Sequence, residues 1–258
     1  MNVVVCAKQI PDPATPGQLD ANHLLKREGK LILDDSDAYG VEMGLQLADK
    51  AGGGEVTLIS MAPNSEVSGL RTALAMGAAK AILVSDPALQ GSDSLATAKV
   101  LAAAIKRAEA DLVLTATEST DGYTGVLPAQ LAEILGWPSI TFAKHVEVAD
   151  GTAKVQRQTE EGYDEVVAPL PAVVSVTAGV VEPRYPSFKG IMAAKNKPVD
   201  EVKVADLGLS EDDVGWKGAR QEIVEVAPAE ERKAGEIVED EGEAHERIVQ
   251  FLEQLKVL

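Results

Sequence analysis

The feature that most constrains this chain is a repeated pairing of short, unbroken apolar runs with longer stretches of helical periodicity. NVVVCA (Asn2–Ala7), EVTLIS (Glu55–Ser60), AILVS (Ala81–Ser85) and DLVLTA (Asp111–Ala116) are each ended by polar or small residues. A strand reads this way when both of its faces are covered. Between the runs, alanine and leucine recur at three- and four-residue spacings over Asp37–Lys50, Glu66–Met76, Ser94–Ala108 and Gly125–Leu135, which predicts helices there. Alternation at this rhythm implies right-handed βαβ crossovers. The expected fold class is α/β, a doubly wound and mostly parallel sheet.

The texture changes after Trp137-Pro138. Residues 140–150, 152–160, 163–171 and 172–180 are β-prone and separated by turn-like Asp150-Gly151, Glu161-Gly162 and Pro171, which predicts antiparallel additions to the sheet. From residue 201 onward 16 acids stand against 7 bases, and Gly208–Gly242 reads as an extended arm with little core of its own. The chain closes with EAHERIVQFLEQLKVL, where Ala244, Ile248, Phe251, Leu252 and Leu255 share one helical face that must dock on something. The expected division is a domain over 1–200 and a C-terminal arm and helix over 201–258.

A net charge of −17 argues against nucleic acid, whose phosphates the surface would repel. With 3% aromatic residues, a stacking platform for single strands is also excluded. No run approaches the ~18 apolar residues of a membrane span, and the start lacks a charged-then-apolar signal. The single cysteine, Cys6, suits a reducing compartment. The expectation is a cytoplasmic protein that is not membrane-embedded, with small or proteinaceous ligands.

Neither GxGxxG after the first strand nor GxxxxGK[ST] is present. QGSDS (Gln90–Ser94) has some likeness to the pyrophosphate loop of ATP-dependent synthetases, but with one glycine it reads as helix capping by Ser92 or Asp93. His23, His145 and His245 are far apart, and no spacing suggests a metal site. Cys6, inside an apolar strand, reads as inert. No residue is selected for catalysis.

Ligands of a doubly wound sheet bind beyond the carboxyl ends of its strands, where strand order reverses. The most informative loop there is 115–137, TATESTDGYTGVLPAQLAEILGW: a strand ends, a polar loop with Gly122 and Gly125 follows, and a helix starts near Val126. Free amides at that start, reinforced by the helix dipole, form an anion site; an ordinary capped helix start is the other reading. A second unusual stretch is VEPRYPSFKGIMAAKNKPV (181–199). From Arg184 to Lys197 it contains no acid and four bases. A short helix over Ser187–Asn196 would put Phe188, Ile191 and Met192 on one face, ringed by Lys189, Lys195 and Lys197. Two readings stand: a core helix with solvated lysines, or an apolar anchor with a basic rim that steers acidic partners.

This segment resembles the signature of the electron transfer flavoprotein β-subunit, and so do VVVCAKQIPD (3–12), GLRTALAMGAAKAILV (69–84), LPAVVSVTAG (170–179) and the closing amphipathic helix. The resemblance covers essentially the whole chain. It implies a non-enzymatic electron carrier: a heterodimer whose α-subunit holds most of the FAD while this chain covers the flavin and binds AMP. Electrons would come from acyl-CoA dehydrogenases and related flavoenzymes and leave to a membrane quinone oxidoreductase, the electron transfer flavoprotein–quinone oxidoreductase. The arm and last helix would wrap the α-subunit.

Carried over residue by residue, the AMP site comprises Cys6, Ala7 and Lys8; Asp34, Asp35, Ser36 and Asp37; Met61; and the run Ala116, Thr117, Glu118, Ser119, Thr120, Asp121, Gly122, Tyr123, Thr124, Gly125, Val126 and Leu127. The partner-docking residues are Arg184, Tyr185, Phe188, Lys189, Ile191, Met192 and Lys195, with Phe188 as the anchor where many members have leucine. The run Asp121–Leu127 lacks the glutamine many members carry there, a break from the pattern of relatives that hold a second FAD. Gln158 stands where many members place an acid near the flavin. Two rival readings, an adenylyl-transfer enzyme using Gly91–Ser94 and an AMP-sensing regulatory module, use the same nucleotide-binding fold.

Overall fold

A computed structural model describes all of the chain except residues 228, 230–234, 236 and 241. Part of the predicted arm therefore lies outside the described residues. The rest forms two compact units, Met1–Glu222 and Ile223–Leu258.

In the first unit the apolar runs become strands. In chain order the elements are β1 (Asn2–Cys6), β2 (Gln9–Ile10), β3 (Ile32–Leu33), α1 (Asp35–Lys50), β4 (Glu55–Ala62), α2 (Ser68–Met76), β5 (Lys80–Ser85), α3 (Ser94–Ala108), β6 (Leu112–Ala116) and α4 (Leu127–Leu135). They are followed by β7 (Ser139–Ala149), β8 (Thr152–Gln158), β9 (Tyr163–Pro169), β10 (Ala172–Val176), α5 (Phe188–Ala194), β11 (Val199–Val202) and the single turn α6 (Gly215–Gly218). The main sheet runs β11-β5-β4-β1-β6-β10-β7-β8-β9, and β2 pairs with β3 as a separate ribbon. Along β1, Val3 and Val5 join the core beneath α1 and α2, while Val4 and Cys6 join the core beneath α3 and α4. Fully burying such a side chain stabilises by roughly 1.5–3 kcal/mol, which is why the runs are continuous rather than alternating.

Three features depart from expectation. Of the four β-prone segments after Pro138, β7, β8 and β9 form antiparallel pairs as expected, but β7 also pairs parallel with β10, which lies parallel between β6 and β7. All five residues of β10 are buried, so it is a central strand. Second, β11 adds a parallel strand at the β5 edge, with Val199 opposite Ala81. Third, the compact unit continues to Glu222 rather than ending at 200, because Val202, Val204 and Val214 are buried in the α3-side core.

That continuation also settles the polar groups of Gly91–Ser94. Gly91 has φ +84°, and an added Cβ would fall 2.2 Å from the Trp216 ring. Ser92 Oγ accepts from Gly215 N at 2.8 Å and donates to Leu89 O at 2.8 Å. Asp93 caps α3 at Ala96 N and also accepts from Arg220 N. The loop caps a helix, and its polar side chains hold chain rather than a pyrophosphate.

In the second unit, α7 (Ala244–Gln254) carries the predicted stripe, with Ile248, Phe251 and Leu255 exposed. Among the described residues no helix is long and apolar enough to cross a membrane.

Candidate functional site

Strand order reverses at β1. The chain leaves it toward β4 and β5 and returns to β6 on its other side. The crevice beyond β1 and β6 therefore gathers the residues predicted from Cys6–Lys8, Asp34–Asp37 and Ala116–Leu127. Lys8 organises them: its N donates to Asp37 Oδ2 at 2.6 Å, and its Nζ to Ser119 Oγ at 3.0 Å and Asp121 Oδ1 at 2.6 Å. Asp34 accepts from Ser36 N at 3.0 Å, capping α1, and from Thr120 N at 2.8 Å and Thr120 Oγ1 at 3.1 Å. These bonds tie the loop after β6 to the start of α1. Asp35, Glu118, Tyr123, Thr124 and Val126 are exposed around them, and Met61 is half-buried against the α3-side core. Cys6 and Ala116 are buried strand-end residues.

The electrostatics differ from one carboxylate to the next. Burial pushes Asp37 up to about 8, with Asp34 and Asp121 adding to the rise against the opposing Lys8 amide and charge. Burial also pushes Asp121 up, but Lys8 and Arg27 outweigh it and hold this carboxyl below its ordinary value. Burial, and then Asp37, pushes the Cys6 thiol up to about 12, so it is no nucleophile at neutral pH.

Arg27 was not foreseen. It reaches Asp121 from the long excursion between β2 and β3, and its Nη1 donates to Gln9 O at 3.0 Å. That excursion has no hydrophobic periodicity to place it. Buried Gln9 was also missed; its Oε1 accepts from Gly69 N at 2.9 Å at the start of α2.

The anion-binding reading has a specific geometry behind it. The residue before α4, Val126, makes no side-chain cap, so the first-turn amides have no capping side chain. Gly125 precedes it at φ +66°. One turn further in, Gln130 Oε1 is buried without a hydrogen-bond partner among the described residues. Uncapped amides at a helix start with glycine beside them suit an anion, while Lys8 and Arg27 share their charge with Asp121 and the Glu118 carboxylate lies close to Gly125.

The 181–199 segment is a second site of different character. Ser187 Oγ accepts from Gly190 N at 3.0 Å and caps α5. Only Ala194 of α5 is buried, so it is not a core helix. Tyr185 and Phe188 are 93% and 81% exposed, and Ile191 and Met192 stand beside Phe188 at just under half exposed. A cavity of about 640 Å³ opens between α2 and α5, lined in part by Arg71, Thr72, Pro186, Ile191 and Lys195.

The four bases divide. Lys189 and Lys195 are exposed and make no ion pair among the described residues. Arg184 grips Glu42 of α1 through Nε at 2.6 Å and Nη2 at 3.0 Å. Burial pushes Glu42 up, but its bonds from Arg184 and Gln46 prevail and hold it low. Lys197 does not belong to the predicted rim: its Nζ donates to Leu74 O and Ala78 O. Gln158 is exposed at the end of β8, opposite Tyr163, and His145 is exposed beside Glu147.

The first unit is thus a doubly wound α/β sheet with a polar crevice at its switch point and an exposed apolar patch on α5, the architecture of a known class of α/β proteins. A family model of the Electron transfer flavoprotein domain matches residues 23–207. The chain is 39% identical to the electron transfer flavoprotein subunit beta of Mycobacterium tuberculosis, over 100% of this chain and 99% of that protein. It is 35% identical to the subunit of the same name from Thermoanaerobacterium thermosaccharolyticum, covering 99% and 98%. It is 34% identical to subunit CarD of the caffeyl-CoA reductase-Etf complex of Acetobacterium woodii, covering 92% of each. The chain belongs to the electron transfer flavoprotein β-subunit family, and its function is electron transfer.

Proposed function

We propose that this chain pairs with an α-subunit in a cytoplasmic heterodimer that takes electrons from acyl-CoA dehydrogenases of fatty acid oxidation and delivers them to a membrane quinone oxidoreductase. FAD, held mainly by the α-subunit, supplies the redox chemistry when bound. This chain binds AMP as a structural ligand, covers one side of the flavin near Gln158, and holds the electron donor. The arm and α7 wrap the α-subunit; the exposed stripe Ile248, Phe251 and Leu255 supports that covering.

In the crevice, the first-turn amides of α4 would hold the phosphate, with Lys8 and Arg27 adding positive charge. Asp34 and Thr120 keep the loop in register with α1.

The observation that carries the docking role is the exposure of Phe188, flanked by Lys189 and Lys195, on a chain of net charge −17. A cationic patch on an anionic body orients an acidic partner as it approaches. Redox encounters of this kind bury under ~1,200 Å², within reach of a seven-residue helix and its flanks.

Counting the nucleotides released from the native heterodimer tests the assignment. One AMP and one FAD per heterodimer are expected. Two FAD and no AMP would overturn the AMP reading, and a colourless homo-oligomer binding AMP reversibly would favour a regulatory module.

A further inference from the structure

At the base of the docking segment two helix ends close each other. Helix α2 ends at Met76 and α5 at Ala194. Arg71, on α2, donates from Nη1 to Ala194 O at 2.7 Å and Lys197 O at 2.8 Å. Lys197, just past α5, donates from Nζ to Leu74 O at 2.8 Å and Ala78 O at 2.7 Å, the carbonyls around the end of α2. Carbonyls in the last turn of a helix have no partner within it, and a cation placed there complements the dipole as well. Between the two clasps, Gly190 approaches Ala75 so closely that an added Cβ would lie 2.4 Å from Ala75 O.

We infer that Arg71 and Lys197 are positioning residues for partner docking: their reciprocal clasp fixes α5 on α2 and so presents Phe188, Lys189 and Lys195 as one preformed patch. The inference rests on the docking reading above. A helix of seven residues is too short to persist by its own hydrogen bonds. Its order comes from what holds it: Arg184 on Glu42 at the entry, Gly190 against Ala75 in the middle, and the Arg71–Lys197 clasp at the exit. Neither clasp residue has to touch the partner. When the docking-competent form is only partly populated, apparent affinity falls by that fraction.

The test uses the holo heterodimer and whichever acyl-CoA dehydrogenase reduces the wild-type complex fastest. Arg71→Met and Lys197→Met keep the apolar stems and remove the donors. In each, the concentration of complex giving half-maximal rate should rise about tenfold, as for a patch competent a tenth of the time. The saturating rate and the bound nucleotides should not change. Hydrogen exchange at the Ile191 and Asn196 amides, which close the helix on Ser187 and Ala193, should accelerate. Arg71→Lys, which keeps a cationic donor for these carbonyls, should recover part of the loss; it also serves if a methionine variant does not fold.

Faster exchange with an unchanged half-maximal concentration, or no difference between Arg71→Lys and Arg71→Met, would overturn the inference. Phe188→Ala run in parallel separates the two levels. If it raises the half-maximal concentration while the clasp variants do not, only the clasp fails; if it changes nothing, the docking reading fails and the clasp role with it.

Discussion

The crevice beyond β1 and the 184–197 segment are both rich in charge, yet they use it in opposite ways. In the crevice each cation faces a carboxylate: Lys8 and Arg27 converge on Asp121, and Asp34 and Asp37 accept from backbone amides and a hydroxyl. In the segment the two end cations bond back to the fold, and the two middle ones are exposed with no ion pair among the described residues. Enclosed charge fixes geometry, because an unpaired group there would carry its full desolvation cost. Charge left in solvent adds little to stability but acts at a distance on an approaching partner. One region is built to hold a shape, the other to offer one.

The largest expected effect lies in the crevice. Asp37 is raised from 3.8 to about 8 in the folded protein, so the native state holds a proton there that the unfolded chain gives up from about pH 4 upward. By linkage, the stability that Asp37 contributes is complete below pH 3.8 and is lost progressively until pH passes about 8. Each tenfold difference in proton affinity is worth about 1.4 kcal/mol. Asp37→Asn keeps an acceptor for Lys8 N and removes the titration. Denaturant midpoints should show the variant gaining on wild type by several kcal/mol between pH 4 and 8, with no further gain above; parallel curves would mean Asp37 is not enclosed as described.

Next is Arg184→Met, which strands the buried Glu42 carboxylate. It should cost roughly 1–3 kcal/mol in chemical denaturation, as for a buried acceptor that loses its partner, since Arg184 itself is half-exposed and Glu42 keeps its bond from Gln46. A loss within the surface range would place Arg184 among the free cations instead. The smallest effect on stability belongs to Lys189→Glu with Lys195→Glu, within about 0.5 kcal/mol of wild type. The same pair should slow reduction by the dehydrogenase at low salt and much less at high salt, since exposed charges are screened beyond ~10 Å at 0.1 M. A salt-independent slowing would remove steering from the account.

Much of the fold was legible because burial on both faces leaves a plain record: β1, β4, β5 and β6 are uninterrupted apolar runs, and the four principal helices begin within two residues of their expected starts. The same rule marks β10, whose AVVSV is as continuous as β1, but Pro171 and its β-prone neighbours made it read as one more antiparallel strand. Short β11 has half its residues exposed, and an edge strand of that kind leaves no pattern to read. At the crevice, loop position was readable from topology and Arg27 was not, since a side chain arriving from an irregular excursion has no periodicity to announce it. In the segment, composition located the cations but could not sort them. Lys195 and Lys197 differ by two positions, and only the packing of α5 on α2 decides which one faces solvent.

The central claim is that the outward face of α5 holds the electron donor. It is tested most directly by rapid-mixing reduction of the holo heterodimer carrying Phe188→Ala by a substrate-reduced acyl-CoA dehydrogenase. The account predicts at least a ~10-fold fall in the second-order rate, as for loss of a central apolar anchor, with AMP and FAD content unchanged. Reduction at the wild-type rate would contradict it.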